Sequence, residues 1–150
     1  MSLTAVRGAI AAVATVALLT GLALSAPGTA QATTAETVKS FTWNRPMNAG
    51  DCTMFEGARW TLHRDGRAYF DGTVTSSDDN DAWLMWARLK DQNGAVLGSI
   101  VNNANQSPTD RTKFVKNLPS HTQRYRWFAS GWFNPALFDL IKGMSLAKHC

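Results

Sequence analysis

A histidine, an arginine and two carboxylates fall close together in one stretch of the chain. Arg59, His63 and Asp71 share the outer face of two predicted strands. Glu56 lies just before the first of those strands. A histidine near a carboxylate can transfer protons and an arginine can hold an anion, which is what a small ribonuclease or glycosidase requires. These four residues are the candidate catalytic residues of a small extracellular hydrolase.

The motifs of better-defined enzymes are missing from the sequence. There is no G-x-S-x-G elbow for a nucleophilic serine. The histidines and cysteines are too scattered for a zinc site. The acidic run Asp78–Asp81 offers oxygen ligands for calcium but lacks the spaced pattern of an EF-hand loop. The sequence therefore predicts no metal and no cofactor, and it favours a binding module over an enzyme.

Aromatic residues offer a second kind of chemistry. Trp86, Phe128 and Trp132 occupy strand positions whose neighbours point to the opposite face. Planar rings at such positions can stack on a sugar or anchor a protein partner, and Arg124 and Arg126 lie beside them for polar contacts. The alternative is that both faces are covered, so that the rings belong to the core. These five residues are the predicted ligand-binding surface, for an extracellular carbohydrate or protein.

Nucleic acid is a weaker candidate partner. The stretch 111–126 contains basic and aromatic residues and no acidic residue, a pattern that can bind an anionic polymer. However, the net charge of the whole chain is only +4, with 17% charged residues. The composition, with 45% hydrophobic residues, also excludes a disordered tail or a collagenous repeat. Nucleic acid is thus not the expected ligand.

The first candidate set depends on a hairpin between Ala58 and Val74. A two-residue turn would send Phe70 to the wrong face of the sheet. A three-residue loop at 64–66, with Gly66 in the left-handed conformation, keeps the apolar residues on one face. The predicted cross-strand pairs are Leu62 with Ala68, Trp60 with Phe70, Arg59 with Asp71, and Thr61 with Tyr69.

Alternating apolar and polar residues predict further strands along the chain. They fall at residues 40–43, 83–90, 95–101, 112–118, 123–133 and 144–150. Asn134 and Pro135 are typical of a helix start, Leu137, Phe138 and Ile141 would form its apolar stripe, and Gly143 would end it. The fold class is all-β, a single antiparallel β-barrel or β-sandwich of about seven or eight strands with one short C-terminal helix.

Residues 1–32 have the order of a secretory signal peptide. Arg7 precedes an uncharged run from Gly8 to Leu24, which is followed by the small-residue pattern Ala30-Gln31-Ala32. The run borders on membrane-spanning length, but the adjoining cleavage pattern favours removal. A lone arginine favours the general secretion route over the twin-arginine route. Residues 33–150 then form a single secreted β domain with no membrane span in the mature form.

The two cysteines, Cys52 and Cys150, predict one disulfide, because exported proteins meet an oxidising environment. The sequence also resembles a family of small exported actinobacterial proteins of unknown function. The likeness is carried by Gly50–Met54, by Phe70–Trp83, and by the closing helix with its terminal Cys150. It implies export and a single domain, and it assigns no catalytic or binding residue.

Overall fold

The computed structural model describes residues 36–102 and 107–150. Within them the chain forms ten strands in two antiparallel sheets, which confirms the predicted all-β class. The predicted signal peptide, residues 1–32, lies outside the described residues. The described part of the chain contains no helix of the length and hydropathy needed to cross a membrane.

The strands follow the chain in order, with bounds close to those that the alternation predicts. They are β1 Val38–Trp43, β2 Met47–Ala49, β3 Cys52–Met54, β4 Ala58–His63, β5 Arg67–Ser76, β6 Asp81–Lys90, β7 Val96–Ser99, β8 Lys113–Leu118, β9 Tyr125–Trp132 and β10 Gly143–His149. The two strands that the sequence did not predict, β2 and β3, have three residues each. Three residues are too few for a periodic pattern to stand out.

The ten-residue strand β5 organises the larger sheet, which we call the β5 sheet. One edge of β5 pairs with β4 and then with β3, and the other edge pairs with β9. Beyond these neighbours, β1 pairs with β4 and β2 pairs with β3. The sheet therefore places the β4–β5 hairpin, which carries Arg59, His63 and Asp71, beside β9, which carries Phe128 and Trp132.

The second sheet is built around β6, and we call it the β6 sheet. One edge of β6 pairs with β10, and the other pairs with β8 and then with β7. Side chains from both sheets meet in one core of buried aromatic residues. The ring centroids of Trp60 and Phe70 are 5.3 Å apart, and those of Trp60 and Phe114 of β8 are 5.2 Å apart. Because successive side chains of a strand point to opposite faces, the residues between those that enter this core point outward.

The β4–β5 hairpin has the predicted register. Leu62 lies opposite Ala68, Trp60 opposite Phe70, Arg59 opposite Asp71, and Thr61 opposite Tyr69. Gly66 has a φ angle of +89°, which a residue with a side chain rarely adopts. The Gly66 amide also donates to the His63 carbonyl at 3.0 Å, closing the loop. This register decides which residues of the hairpin face outward.

The predicted C-terminal helix is wrong, because only a single 3-10 turn forms at Pro135–Leu137. Its start is as predicted, since the Asn134 side chain accepts a hydrogen bond from the Ala136 amide. Beyond the turn, the carbonyls of Phe138 and Ile141 accept hydrogen bonds from Lys39 Nζ at 2.8 and 2.9 Å. The segment after the turn is thus tied to β1.

The disulfide between Cys52 and Cys150 is present, as predicted. It joins β3 of the β5 sheet to the C-terminal residue, which follows β10 of the β6 sheet. The sequence separation of 98 residues makes this a long closed loop. Long loops are those in which a crosslink most reduces the entropy of the unfolded chain.

Candidate functional site

The outer face of β9 carries two large aromatic side chains that the fold leaves uncovered. Trp127 and Ala129 point into the core, so the alternate residues of the strand point to solvent. Phe128 is 70% exposed and Trp132 is 53% exposed. The sequence left open whether this face was covered, and none of the residues that the structure describes covers these two rings.

Strand β5 adds a third exposed ring to the same face. Tyr69, which is 42% exposed, lies directly opposite Ser130 of β9. Asp71 lies opposite Phe128, and Arg67 lies opposite Trp132. We call this surface the aromatic–basic face. It comprises Arg59, Thr61 and His63 of β4, Arg67, Tyr69 and Asp71 of β5, and Arg126, Phe128, Ser130 and Trp132 of β9.

Tyr69 was not predicted as a site residue. Its position opposite Thr61 was correctly predicted, but the neighbouring strand on its other side was unknown. The His63 ring packs edge-on against Tyr69, with centroids 5.5 Å apart and planes at 88°. The outward position in the predicted hairpin was the only signal that could have identified this tyrosine.

Ion pairs hold two of the arginines on the face. An Arg126 amino group lies 2.5 Å from a carboxylate oxygen of Asp71, and its guanidinium carbon is 5.2 Å from the centre of the Phe128 ring. Arg67 pairs in the same way with Asp65 at 2.6 Å. The hydrogen bonds from Arg67 hold the pKa of the Asp65 carboxyl below its usual value. Exposed pairs of this kind add little stability, but they restrict where the guanidinium groups lie.

Two further arginines keep their charge available to a ligand. Among the described residues, no carboxylate lies within salt-bridge distance of Arg59 or Arg124. Arg59 lies opposite Asp71 on the aromatic–basic face. Arg124 precedes β9, and its guanidinium carbon lies 4.3 Å from the centre of the Phe55 ring. The basic side chains therefore outnumber the two acidic ones, Asp65 and Asp71, on and beside this face.

Trp86, predicted as part of the same surface, lies in the other sheet. It is half-buried on β6, opposite Lys113 of β8 and Ala147 of β10. Its indole Nε1 donates a hydrogen bond of 2.9 Å to Asp110. This bond, together with those from Thr112, lowers the pKa of Asp110 from 3.8 to about 2. The polar group of Trp86 is thus already engaged within the protein.

The residues of the predicted hydrolase are only partly brought together. Arg59 and Asp71 lie side by side, but His63 is four residues further along β4. At roughly 3.3 Å per residue, the backbones at these two levels are about 13 Å apart. Glu56 is exposed in the turn between β3 and β4. No proton-transfer pair forms between His63 and Asp71.

The acidic run considered for calcium divides its side chains between different partners. Asp79 accepts one hydrogen bond of 2.8 Å from the backbone amide of His121, and the same carboxylate oxygen lies 2.8 Å from Nδ1 of the His121 ring. Asp81 accepts a hydrogen bond from Ser76 Oγ. Asp81 also lies near the sulfurs of Cys52 and Cys150, but those sulfurs form the disulfide. The two carboxylates do not converge on one position.

A family model matches the part of the chain that contains this surface. The model of a family of unknown function, DUF6294, matches residues 59–150. The chain belongs to DUF6294. The matched part includes the β4–β5 hairpin and β9, so the DUF6294 region contains the whole aromatic–basic face. No curated protein and no solved structure gives a significant match to the chain.

Proposed function

We propose that this DUF6294 protein is a secreted binding module that holds an extracellular carbohydrate or protein through the aromatic–basic face. The observation that carries the proposal is the exposure of Phe128 and Trp132, at 70% and 53%, on one strand face. Scattered single apolar residues are normal on protein surfaces, whereas clustered exposed rings mark interaction sites. Tyr69 on the adjacent strand extends the cluster.

Secretion is part of the proposal and has two supports. The pattern of residues 1–32 is that of a signal peptide. The Cys52–Cys150 disulfide suits an oxidising compartment outside the cytosol. A binding module in that setting would meet extracellular polysaccharides and proteins, and both can be held by aromatic rings flanked by arginines.

No observation favours the alternative function, which is hydrolysis by His63, Arg59, Asp71 and Glu56. A general acid and base must reach the same substrate bond at hydrogen-bond distance. The register keeps His63 about 13 Å along the strand from Asp71, which is too far for direct proton transfer. A ribonuclease or glycosidase activity that is lost on His63→Ala would contradict this reasoning.

The test is retention of the purified protein on an array of immobilised extracellular polysaccharides and proteins. We expect wild-type protein to be retained on at least one surface, and the double variant Phe128→Ala/Trp132→Ala to be lost from it. Leu140→Ala is the matched control, because Leu140 is 54% exposed and lies outside β5 and β9. Retention of the double variant at the wild-type level would contradict the proposal.

A further inference from the structure

A row of hydroxyl groups crosses the aromatic–basic face at right angles to the strands. Ser40 lies opposite Thr61, Thr61 opposite Tyr69, and Tyr69 opposite Ser130. The row thus runs through β1, β4, β5 and β9. With neighbouring strands roughly 4.8 Å apart, its four positions span about 14 Å. This length suits an extended ligand better than a compact one.

Aromatic rings flank the row near its end on β9. Phe128 and Trp132 are the residues two positions before and after Ser130, so one ring stands on each side of the hydroxyl row. A protein partner is best held by contiguous apolar side chains at the centre of an interface. A sugar ring, by contrast, has an apolar C–H face bordered by hydroxyl groups. The exposed rings have the hydroxyl groups of Tyr69 and Ser130 among them, and a surface of mixed rings and hydroxyl groups matches a carbohydrate chain better than a protein.

The charge of the face adds a second requirement. Arg59 adjoins the row next to Thr61, and no carboxylate of the described residues lies within salt-bridge distance of it. Arg126 donates a hydrogen bond to Asp71, and Asp71 lies between Arg59 on β4 and Phe128 on β9. A guanidinium group offers paired donors that match a carboxylate or a sulfate. A ligand group with negative charge would complement Arg59 on this face.

We propose that the hydroxyl row binds a chain of an acidic polysaccharide. The sugar rings lie between Phe128 and Trp132, the hydroxyl row binds the hydroxyls of the sugars, and Arg59 pairs with a carboxylate or sulfate group of the chain. This inference rests on the proposed function, because it names the ligand class of the same surface.

Two pairs of matched probes test the inference. Polygalacturonate and its methyl ester share one backbone and differ in the carboxylate charge, and dextran sulfate and dextran differ in the sulfate. Affinities are measured by biolayer interferometry at an ionic strength of about 0.15 M, where long-range attraction is screened. We expect at least one acidic chain to bind about tenfold more tightly than its neutral counterpart, the effect of one charge-assisted hydrogen bond. The probe with the larger ratio identifies the anionic group.

The variant Arg59→Gln should abolish the preference for the acidic chain and leave the affinity for the neutral chain within about twofold. Arg88→Gln is the matched control, since Arg88 is also an exposed strand arginine but lies on the β6 sheet. Phe128→Ala should weaken binding of the acidic and neutral chains alike, by roughly tenfold.

Three results would overturn the inference. The first is equal affinity for acidic and neutral chains, and the second is an equal loss from Arg88→Gln, which marks unspecific attraction of a polyanion. The third is binding to none of the four polysaccharides. If an extracellular protein is then retained on the array through Phe128 and Trp132, the inference fails while the proposed function stands. If the double variant is retained like the wild type, both fail.

Discussion

Arg126 of β9 donates a hydrogen bond of 2.5 Å to Asp71, which lies diagonally across from it on β5. The same register places Asp71 directly opposite Phe128, and the Arg126 guanidinium carbon lies 5.2 Å from the centre of that ring. The guanidinium is thus held between a carboxylate and an exposed ring. A ligand that reaches Phe128 therefore meets this ion pair beside the ring.

The first prediction concerns tryptophan exposure. Trp132 is 53% exposed, whereas Trp60, Trp83 and Trp127 are buried and Trp43 and Trp86 are half-buried. Quenching of fluorescence by acrylamide should therefore fall sharply in Trp132→Phe and remain close to the wild-type level in Trp86→Phe. If the two variants lose the same quenchable fraction, or if Trp86→Phe loses more, the face of β9 is covered and the binding surface is misplaced.

The second prediction concerns the close packing behind the face. Gly131 of β9 points inward, and a Cβ atom there would lie 2.6 Å from Ile100 Cγ2 and 2.7 Å from the Val101 carbonyl oxygen. Gly131→Ala should lower the free energy of unfolding by about 1–3 kcal/mol, measured by denaturant titration. Gly98→Ala is the control, because its Cβ would meet only Leu137 Cδ1, at 3.4 Å. Equal stabilities of the two variants would contradict this packing.

The third prediction concerns the disulfide. Replacing both Cys52 and Cys150 by alanine should lower the free energy of unfolding by about 2–5 kcal/mol, because the bond closes a long loop. Adding a reductant to the wild-type protein should give a comparable loss in the same denaturant titration. Mass spectrometry of the unreduced protein should find the Cys52–Cys150 crosslink. If the reductant leaves the unfolding midpoint unchanged, the bond does not contribute as described.

The fourth prediction concerns Asp110, whose pKa is lowered to about 2 first by the bond from Trp86 and then by those from Thr112. Trp86→Phe should raise this pKa toward 3.8 while Thr112 keeps it below that value. A carboxyl whose pKa is lower in the folded state than in the unfolded state stabilises the fold at pH values above the unfolded-state pKa. This contribution is lost as the pH falls through the folded-state pKa. The part of the loss in free energy of unfolding that Trp86→Phe causes through Asp110 should thus be complete above pH 3.8 and disappear as the pH falls toward 2.

Carbon-detected NMR titration of the Asp110 carboxyl measures that pKa directly, and denaturant titrations at several pH values measure the stability. The loss of indole packing in Trp86→Phe should add a part that does not change with pH. An unchanged Asp110 pKa in the variant would show that the indole bond is absent in solution.

The β4–β5 hairpin was predictable in full because local rules fix it. Gly66 specifies the left-handed position of a three-residue loop, and the apolar residues on both sides allow only one register on one face. Placing Arg59 opposite Asp71 followed from that register alone. Information of this kind lies within a short stretch of sequence, so it needs no knowledge of the remaining chain.

The absence of a C-terminal helix was not predictable from the local signals, which favour one. Asn134 and Pro135 begin a turn as expected, but Lys39, almost a hundred residues away, binds the carbonyls of Phe138 and Ile141. Arg64 adds a bidentate pair with Asp139, at 2.8 Å for each bond, which lowers the pKa of that carboxyl. Such distant partners override a helix pattern of a few residues.

The candidate site was predictable in part. Alternation along β9 correctly put Phe128 and Trp132 on one face, but Trp86 alternates in the same way on β6. Only the strand order separates them, because β9 pairs with β5 and β6 pairs with other strands. Strand order depends on contacts distant in sequence, which periodicity cannot reveal. Tyr69 was not predicted as the third exposed ring for the same reason, since the pairing of β5 with β9 was unknown.

The most direct test of the aromatic–basic face is an NMR titration of the six indole N–H signals, one from each tryptophan of the chain. Polygalacturonate is the first titrant, and the polysaccharide or protein that the array retains is the second. We expect the Trp132 signal to shift with increasing ligand while the signals of Trp60, Trp83 and Trp86 stay in place. If the Trp86 signal shifts and the Trp132 signal does not, the ligand binds the β6 sheet and the aromatic–basic face is not the binding site.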